Sequence, residues 1–342
     1  MNLLFHPTQP SDALRLRAFL QKIFRVGNDA PFLDPALIEW KYYRTHPFWE
    51  GSRSFVYETG ADLAAHVCAW PWQVLTTGGP LMVVHPIDWA ASSEVPGAGA
   101  LLLREIRGLR DISLCVGGTP SARKVIARTG FHHYTDLDLW VRPLRPLRQT
   151  LTHQNKNWKL PARWARNLIW TLRSTPSVPA GWTSEPIDPR DLPDAVLPQP
   201  LPGTAVTGRS RPLFEYFALC PVARHQLFLV RSSGAPVGYF LLSFTPGQAR
   251  ICDAYITEWT VSTWAGLYAS AIRTALDEGS TAEIVAASSH PVPRDALGVS
   301  AFRRYNTLPI TCFDPQQRLA PADSIHMQMI DGDLSFLHEN RP

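Results

Sequence analysis

A mixed α+β fold in two halves is predicted by three observations. The chain has 342 residues, more than one compact core usually holds, which points to two domains of about 150 residues each. Runs with helical spacing interleave with runs of alternating apolar residues instead of segregating from them. The pattern of the first half also returns, weakened, in the second. Residues 55–63 match 229–237, each a strand, a turn at a glycine (Gly60, Gly234) and a second strand, and Ile87-Asp88 has a counterpart in Cys252-Asp253.

The elements follow in order. Leu14, Leu16, Phe19, Leu20, Ile23 and Phe24 fall at helical spacing and predict a helix over 12–24, with Ser11 as its cap. A second helix is expected over 35–43. Runs 53–58 and 63–68 flank the Gly60 turn and read as a β-hairpin. Further strands are expected over 72–76 and 81–89. Then comes Glu94-Val95-Pro96-Gly97-Ala98-Gly99-Ala100, opening an apolar helix through Ile106. Helix N-termini leave backbone N–H groups unpaired, and glycines let an anion come close to them. A strand over 112–116 leads to Gly117-Gly118-Thr119-Pro120, a helix start with Thr119 as N-cap and Pro120 at the first position. That helix closes at Thr129-Gly130-Phe131, and a last strand covers 137–141.

This order resembles the GNAT superfamily of N-acetyltransferases over nearly all of residues 1–145. In that family a strand, a Gln/Arg-x-x-Gly-x-Gly/Ala loop and a helix hold the pyrophosphate of an acyl-coenzyme A, and a later helix ends in Gly-Phe. The resemblance implies two GNAT-like domains, each a mostly antiparallel twisted central sheet flanked by helices: 1–145 as the acyl-coenzyme A-binding domain, 146–180 as a basic amphipathic linker and 181–342 as a degenerate copy. It implies that the thioester arm pairs with the strand at Ile87, Asp88, Trp89 and Ala90. The pyrophosphate would lie on Val95, Gly97, Ala98, Gly99 and Ala100, with Ser121 completing the coenzyme-binding candidates. Two positions depart from the family: Glu94 stands at the Gln/Arg position, and Ile126 where a tyrosine often protonates the leaving thiolate. In the second half Thr263 and Ala265 replace the two loop glycines and Ala301-Phe302 replaces Gly-Phe, so no coenzyme signature is expected there.

Acyl transfer to an amine also needs a base. Asp88 is the first candidate, because its carboxylate interrupts an apolar strand beside the thioester position. His85 on the same strand and His66 on its neighbour follow, as imidazoles that titrate near neutral pH. The rival reading for each is structural. In the second half Asp253 and Glu258 near Tyr255 are candidates to line an acceptor groove. Tyr216, Phe217, Tyr239 and Phe240 read as core, and 324–336 as a closing strand and helix. His132 and His133 are adjacent and would point to opposite faces of a strand, so no metal site is assigned.

Composition narrows the function classes. The five cysteines are odd in number and sit mostly in apolar runs, which suggests neither a disulfide framework nor a zinc site. No apolar run approaches the roughly 20 residues of a membrane span, and the N-terminus lacks signal-peptide character, so a cytoplasmic location is expected. The net charge is only +4, yet eight Lys and Arg and no Asp or Glu fall between Arg142 and Arg173, Lys156 and Lys159 among them. Within this stretch Trp164, Leu168 and Leu172 recur at i, i+4 and i+8, with Ile169 beside them and Arg163, Arg166 and Arg173 flanking. This amphipathic helix, 161–173, reads as a connector laid across the two domains, as a peripheral membrane contact, or as a nucleic-acid contact without sequence specificity.

The leading expectation is an acyl-coenzyme A-dependent N-acyltransferase, with acetyl-coenzyme A as donor and a primary amine of a small molecule or amino sugar as acceptor. One alternative is a Fem-like transferase that uses aminoacyl-transfer RNA. Another is a non-catalytic GNAT-like binding protein at a membrane surface.

Overall fold

β1 (Leu4–Pro7) leads through a short 3-10 turn into α1 (Ala13–Phe24), whose buried Leu16 and Leu20 form its inner face. Asp12, not Ser11, stands at the N-cap position, and Gln9 and Asp12 close a reciprocal capping box one turn earlier. α2 (Pro35–Ile38) is capped by Asp34 and widens into a π-turn over Glu39–Tyr43, a geometry that turns Trp40, Lys41 and Tyr42 all inward. Carbonyls freed at that turn find a partner in Arg53. Its buried guanidinium donates to Trp40 O, Lys41 O and Arg44 O at 2.9, 2.8 and 2.7 Å.

The remaining elements of the first half are β2 (Ser54–Thr59), β3 (Asp62–Thr76), β4 (Gly79–Ala91), α3 (Ala98–Ile106), β5 (Ile112–Val116), α4 (Pro120–Arg128) and β6 (His132–Pro143). α5 (Pro146–Thr152) and α6 (Leu160–Thr171) connect to the second half. There follow β7 (Trp182–Ile187), β8 (Thr204–Thr207), α7 (Arg211–Ala218), β9 (Arg224–Ser232), β10 (Ala235–Thr245) and β11 (Gln248–Ile256). The chain closes with α8 (Val261–Asp277), β12 (Glu283–Ser288), α9 (Pro291–Val299), β13 (Arg303–Phe313) and β14 (Ser324–His326). This computed structural model describes residues 3–60, 62–152, 160–171, 173, 176–319, 322 and 324–337. Leu172, Lys156 and Lys159 of the basic stretch lie outside the described residues. No helix among the described residues is long and apolar enough to cross a membrane.

Besides the Ser11 cap, two expectations need correction. The strands expected over 63–68 and 72–76 are one strand, β3, which runs through Pro71. That proline falls between the stretch of β3 paired to β2 and the stretch paired to β8, so no ladder on that side is interrupted. The closing helix expected within 324–336 is instead β14 followed by two 3-10 turns, Met329–Asp331 and Asp333–Ser335.

The strands form one mixed sheet in the order β1-β2-β3-β4-β5-β13-β6-β12-β11-β10-β9-β7, with β8 joining β3 to β14. Read from its centre outward, this order is symmetric: each half supplies five outer strands in the same sequence. The two central strands are exchanged. β13 from the second half pairs with β5 of the first, and β6 from the first pairs with β12 of the second. β6 and β13 then pair with each other, antiparallel, along most of their length. Beneath the sheet the halves share a core. Trp40 stacks on Tyr216 at 4.5 Å and meets Phe336 edge-on at 5.1 Å, with Trp70 and Phe217 around them. As expected, Tyr216, Phe217, Tyr239 and Phe240 are core residues.

Candidate functional site

β4 and β5 run parallel but pair only at Val83–Ile112 and Val84–Ser113. Beyond those two positions they part. β4 stays with β3 as far as Ala91, and β5 stays with β13 as far as Val116. The side of Ile87–Ala90 that faces β5 is thus left without a strand partner. Asp88, in the same stretch, has φ +50°, and one residue of β3, Val67, opposes two of β4. A non-glycine residue at positive φ within a strand is a strained bulge, which bends β4 and re-aims the residues around it.

Buried polar contacts hold this bulge. The Asp88 carboxylate accepts the Tyr42 hydroxyl at 2.7 Å and is ion-paired with the fully buried Lys41 ammonium. Burial works to raise the Asp88 pKa, but the Lys41 charge and the Lys41 and Tyr42 hydrogen bonds outweigh it and hold the carboxyl below its usual value. Burial and the Asp88 carboxylate drive the Tyr42 hydroxyl well above its own. His66 donates from Nδ1 to Asp88 O at 3.0 Å and accepts the Ser54 hydroxyl at Nε2, 3.1 Å away. His85 stands at the mouth of the opening. Its Nδ1 donates to Asp331 O at 3.1 Å, and its Nε2 accepts Val116 N–H of β5 at 3.3 Å. The imidazole therefore bridges β4 and β5 where their ladder ends and ties both to the C-terminal segment. Burial lowers both histidines to about 4.

The loop after β4 closes into α3 through short bonds. Ser92 Oγ accepts Glu94 N–H at 3.2 Å, and Val95 O accepts Ala98 N–H at 3.2 Å. Gly97 is the N-cap of α3 with φ +87°, a conformation that calls for glycine. The N–H groups of Gly99 and Ala100 in the first turn have neither an intrahelical acceptor nor a side-chain cap. Gly99 also has a packing role that sequence did not show. A Cβ there would lie 2.9 Å from Ala91 Cβ and 3.4 Å from the Trp89 ring, and Trp89 Nε1 donates to Gly99 O at 3.0 Å. The glycine lets α3 settle on β4, and Trp89 braces that contact. Val95 is half-buried against the same cluster, Ala98 is buried on the inner side of the first turn of α3, and Ile87 belongs to the main core. Ser121 is exposed on the first turn of α4, which Thr119 caps by accepting Ala122 N–H. Glu94 is exposed and meets Lys22 of α1 at 3.1 Å. Ile126 is buried with Leu103, Cys115 and Phe131.

The second half repeats the frame and fills the opening. β11 carries a bulge beside Asp253, the counterpart of Asp88, and parts from β12 after Ile251–Ala286. Asp253 is again buried and paired to a cation: Arg209 binds both its oxygens at 2.9 Å, and the Tyr239 hydroxyl donates at 2.8 Å. It lines no groove, and Glu258 is exposed. Thr260 and Thr263 cap each other reciprocally at the start of α8, which consumes N–H groups that the first half leaves free. Trp259, Trp264, His290 and His326 pack edge-on at 5.0–5.3 Å where the first half has its opening. The buried clusters around Asp88 and Asp253 were missed from sequence: Lys41 comes from the turn after α2 and Arg209 from the loop before α7, both far along the chain from the carboxylates they meet.

No family model and no curated protein matches the chain. Solved structures do. A GCN5-related N-acetyltransferase from Anabaena variabilis aligns over 92% of this chain and 73% of its own, at 11% identity and TM-score 0.59. A tandem GNAT protein from the clavulanic acid biosynthesis pathway aligns over 92% of this chain and 98% of its own, at 15% identity and TM-score 0.56. Saccharomyces cerevisiae N-myristoyltransferase, solved with bound myristoyl-coenzyme A, aligns over 91% and 82%, at 12% identity and TM-score 0.57. With the parted parallel strands, the bulge and the helix that follows occurring in one half and echoed in the other, the chain is built on the tandem GNAT fold.

Proposed function

We propose that this protein is an acyl-coenzyme A-dependent N-acyltransferase that holds its coenzyme in the N-terminal half, residues 1–145, while the C-terminal half, 181–342, shapes the acceptor side. The observation that carries this reading is the opening between β4 and β5, which leads to the uncapped N-terminus of α3 in the first half and is filled by Trp259 and Trp264 in the second. In this reading the pantetheine arm pairs with the free side of Ile87–Ala90, and the pyrophosphate rests on Gly99 and Ala100 N–H groups, aided by the helix dipole. Lys22, drawn to the loop by Glu94, offsets that carboxylate near the phosphates.

The donor proposed is acetyl-coenzyme A, and the acceptor a primary amine of a small molecule or amino sugar. The amine nitrogen attacks the thioester carbonyl carbon, backbone N–H groups beside the bulge stabilise the oxyanion, and the C–S bond breaks to release the coenzyme thiol. His66 and His85 have both ring nitrogens engaged, and Asp88 is neutralised by Lys41. All three therefore serve the reaction by fixing β4 rather than by taking the proton, which leaves to solvent. Ile126 supplies no acid, so the thiolate is protonated from water as well.

Calorimetric titration with acetyl-coenzyme A tests the reading. The wild type is expected to bind, and Ala100→Glu, which sets a carboxylate on the first turn of α3 without straining the backbone, to lose at least about tenfold in affinity. A folded wild type that binds neither acetyl-coenzyme A nor longer acyl forms would overturn it.

A further inference from the structure

α6 faces the wrong way for a connecting helix. Its inner side is tied to the body of the protein: Trp170 Nε1 donates to Ala301 O at 2.7 Å, and Asn167 Nδ2 to Gln149 Oε1 of α5 at 2.8 Å. The opposite side carries Pro161, Trp164, Ala165, Leu168 and Ile169, all exposed, with Ile169 66% exposed. Leu147 of the adjacent α5 is 62% exposed. A surface helix normally turns its apolar stripe inward, and here the stripe looks out. Arginines occur along both helices. Arg145 donates to Thr281 O and Leu276 O, and Arg148 to Gly279 O, at the end of α8; Arg166 is exposed on the flank of α6 and Arg173 stacks on Trp170. No acidic residue occurs between Arg142 and Arg173.

We infer that the outer face of α6, with Leu147 of α5, docks on an anionic lipid bilayer, the apolar side chains entering the headgroup boundary and the arginines meeting lipid phosphates. An apolar stripe that includes a tryptophan, on a stretch of chain that carries arginines and no carboxylate of its own, has the composition of a helix lying in the membrane plane. A symmetric contact with a second copy would set this uniformly basic stretch against itself, which charge opposes. The consequence goes beyond the proposed chemistry: the protein would work at a lipid surface.

The test is co-sedimentation of the full chain with vesicles of phosphatidylcholine containing about one-third phosphatidylglycerol, and with phosphatidylcholine alone. Binding is expected only to the anionic vesicles and is expected to weaken as salt rises. Leu168→Glu and Ile169→Glu, at exposed positions and checked for folding by circular dichroism, are expected to reduce partitioning by at least about tenfold. Arg166→Ala and Arg173→Ala should each reduce it about fivefold. Absence of wild-type binding, equal binding to both vesicle types, or full binding by the folded glutamate variants would overturn the proposal. So would a concentration-dependent dimer that Ile169→Glu dissolves in the absence of lipid binding, since it would assign the face to a second copy.

Discussion

Mild acid should unfold this protein, and the reason lies in its histidines. Four buried imidazoles accept a hydrogen bond at a ring nitrogen that must be unprotonated: His46 from Phe48 N–H, His66 from the Ser54 hydroxyl, His85 from Val116 N–H and His290 from Val292 N–H. Burial lowers His66, His85 and His290 to about 4 and His46 well below its ordinary value. In the unfolded chain each would titrate near about 6.5. Between those two values the unfolded state binds protons that the folded state refuses, so stability falls as pH falls through that window. Each histidine contributes a slope of about 1.4 kcal/mol per pH unit; burial lowers His225 to about 4 and His326 well below its ordinary value as well, so the six together give about 8 kcal/mol per unit. Asp331 works in the opposite sense, because burial raises its pKa and the folded state takes that proton first; at most it offsets one histidine. Against a total stability of about 5–15 kcal/mol, most of the fold's margin is lost between about pH 6.5 and 5. Urea unfolding followed by circular dichroism at a series of pH values measures the slope directly. His290→Asn keeps a good cap on α9 without a titrating ring and should flatten the slope by about a sixth. An unfolding free energy that holds constant from about pH 7 to 5 would refute the reasoning.

The buried pair at the bulge and the packing glycine give two further expectations. Lys41→Met leaves the Asp88 carboxylate buried without its cation and should cost about 3–5 kcal/mol at neutral pH, most of it recovered when Asp88→Asn is added, which removes the charge while tolerating φ +50° and still accepting the Tyr42 hydroxyl, as urea melts would show. In the wild type the depressed Asp88 pKa means that its contribution is present above about pH 3.9 and is lost only as pH falls below that, outside the histidine window. In Lys41→Met the same pKa rises, so that variant's deficit should shrink as pH falls. Gly99→Val drives a branched side chain into Ala91 and the Trp89 ring; a loss of about 1–3 kcal/mol in the same melts, with weaker coenzyme binding by calorimetry, is expected.

How much of this was legible follows from the range over which each feature is specified. The helix over 35–43, the hairpin, the Thr119 cap and the Gly130 close are local, set by spacing and by residues within a turn of one another, and the sequence patterns found them. Gly97 and Gly99 were legible as a pair, but the reason for Gly99 lies in Trp89 and Ala91, across a strand-to-helix corner. Lys41 could not be paired with Asp88 from sequence. The contact spans the sheet, and a lysine flanked by Trp40 and Tyr42 on a short helix looks like any half-exposed position. Nor could the strand exchange be seen: β6 and β13 are both long, alternating strands after a helix, and nothing local in either says which half it will join.

That exchange decides how the site is made. β5 ends on β13 instead of on a strand of its own half, so the outer wall of the opening is held by the second half of the chain. From the same half, Asp331 O receives the His85 proton donor and Gly332 packs against the His85 ring, at 3.2 Å from where a Cβ would stand. Asp331 is anchored in turn by Arg209, which also holds Asp253 at the second bulge. A continuous buried path thus runs from the filled, cation-locked bulge of the second half through Asp331 and His85 to the mouth of the open one in the first. The second half therefore has a physical role at the opening of the first, because it supplies the strand and the C-terminal segment that hold β4 and β5 at a fixed separation.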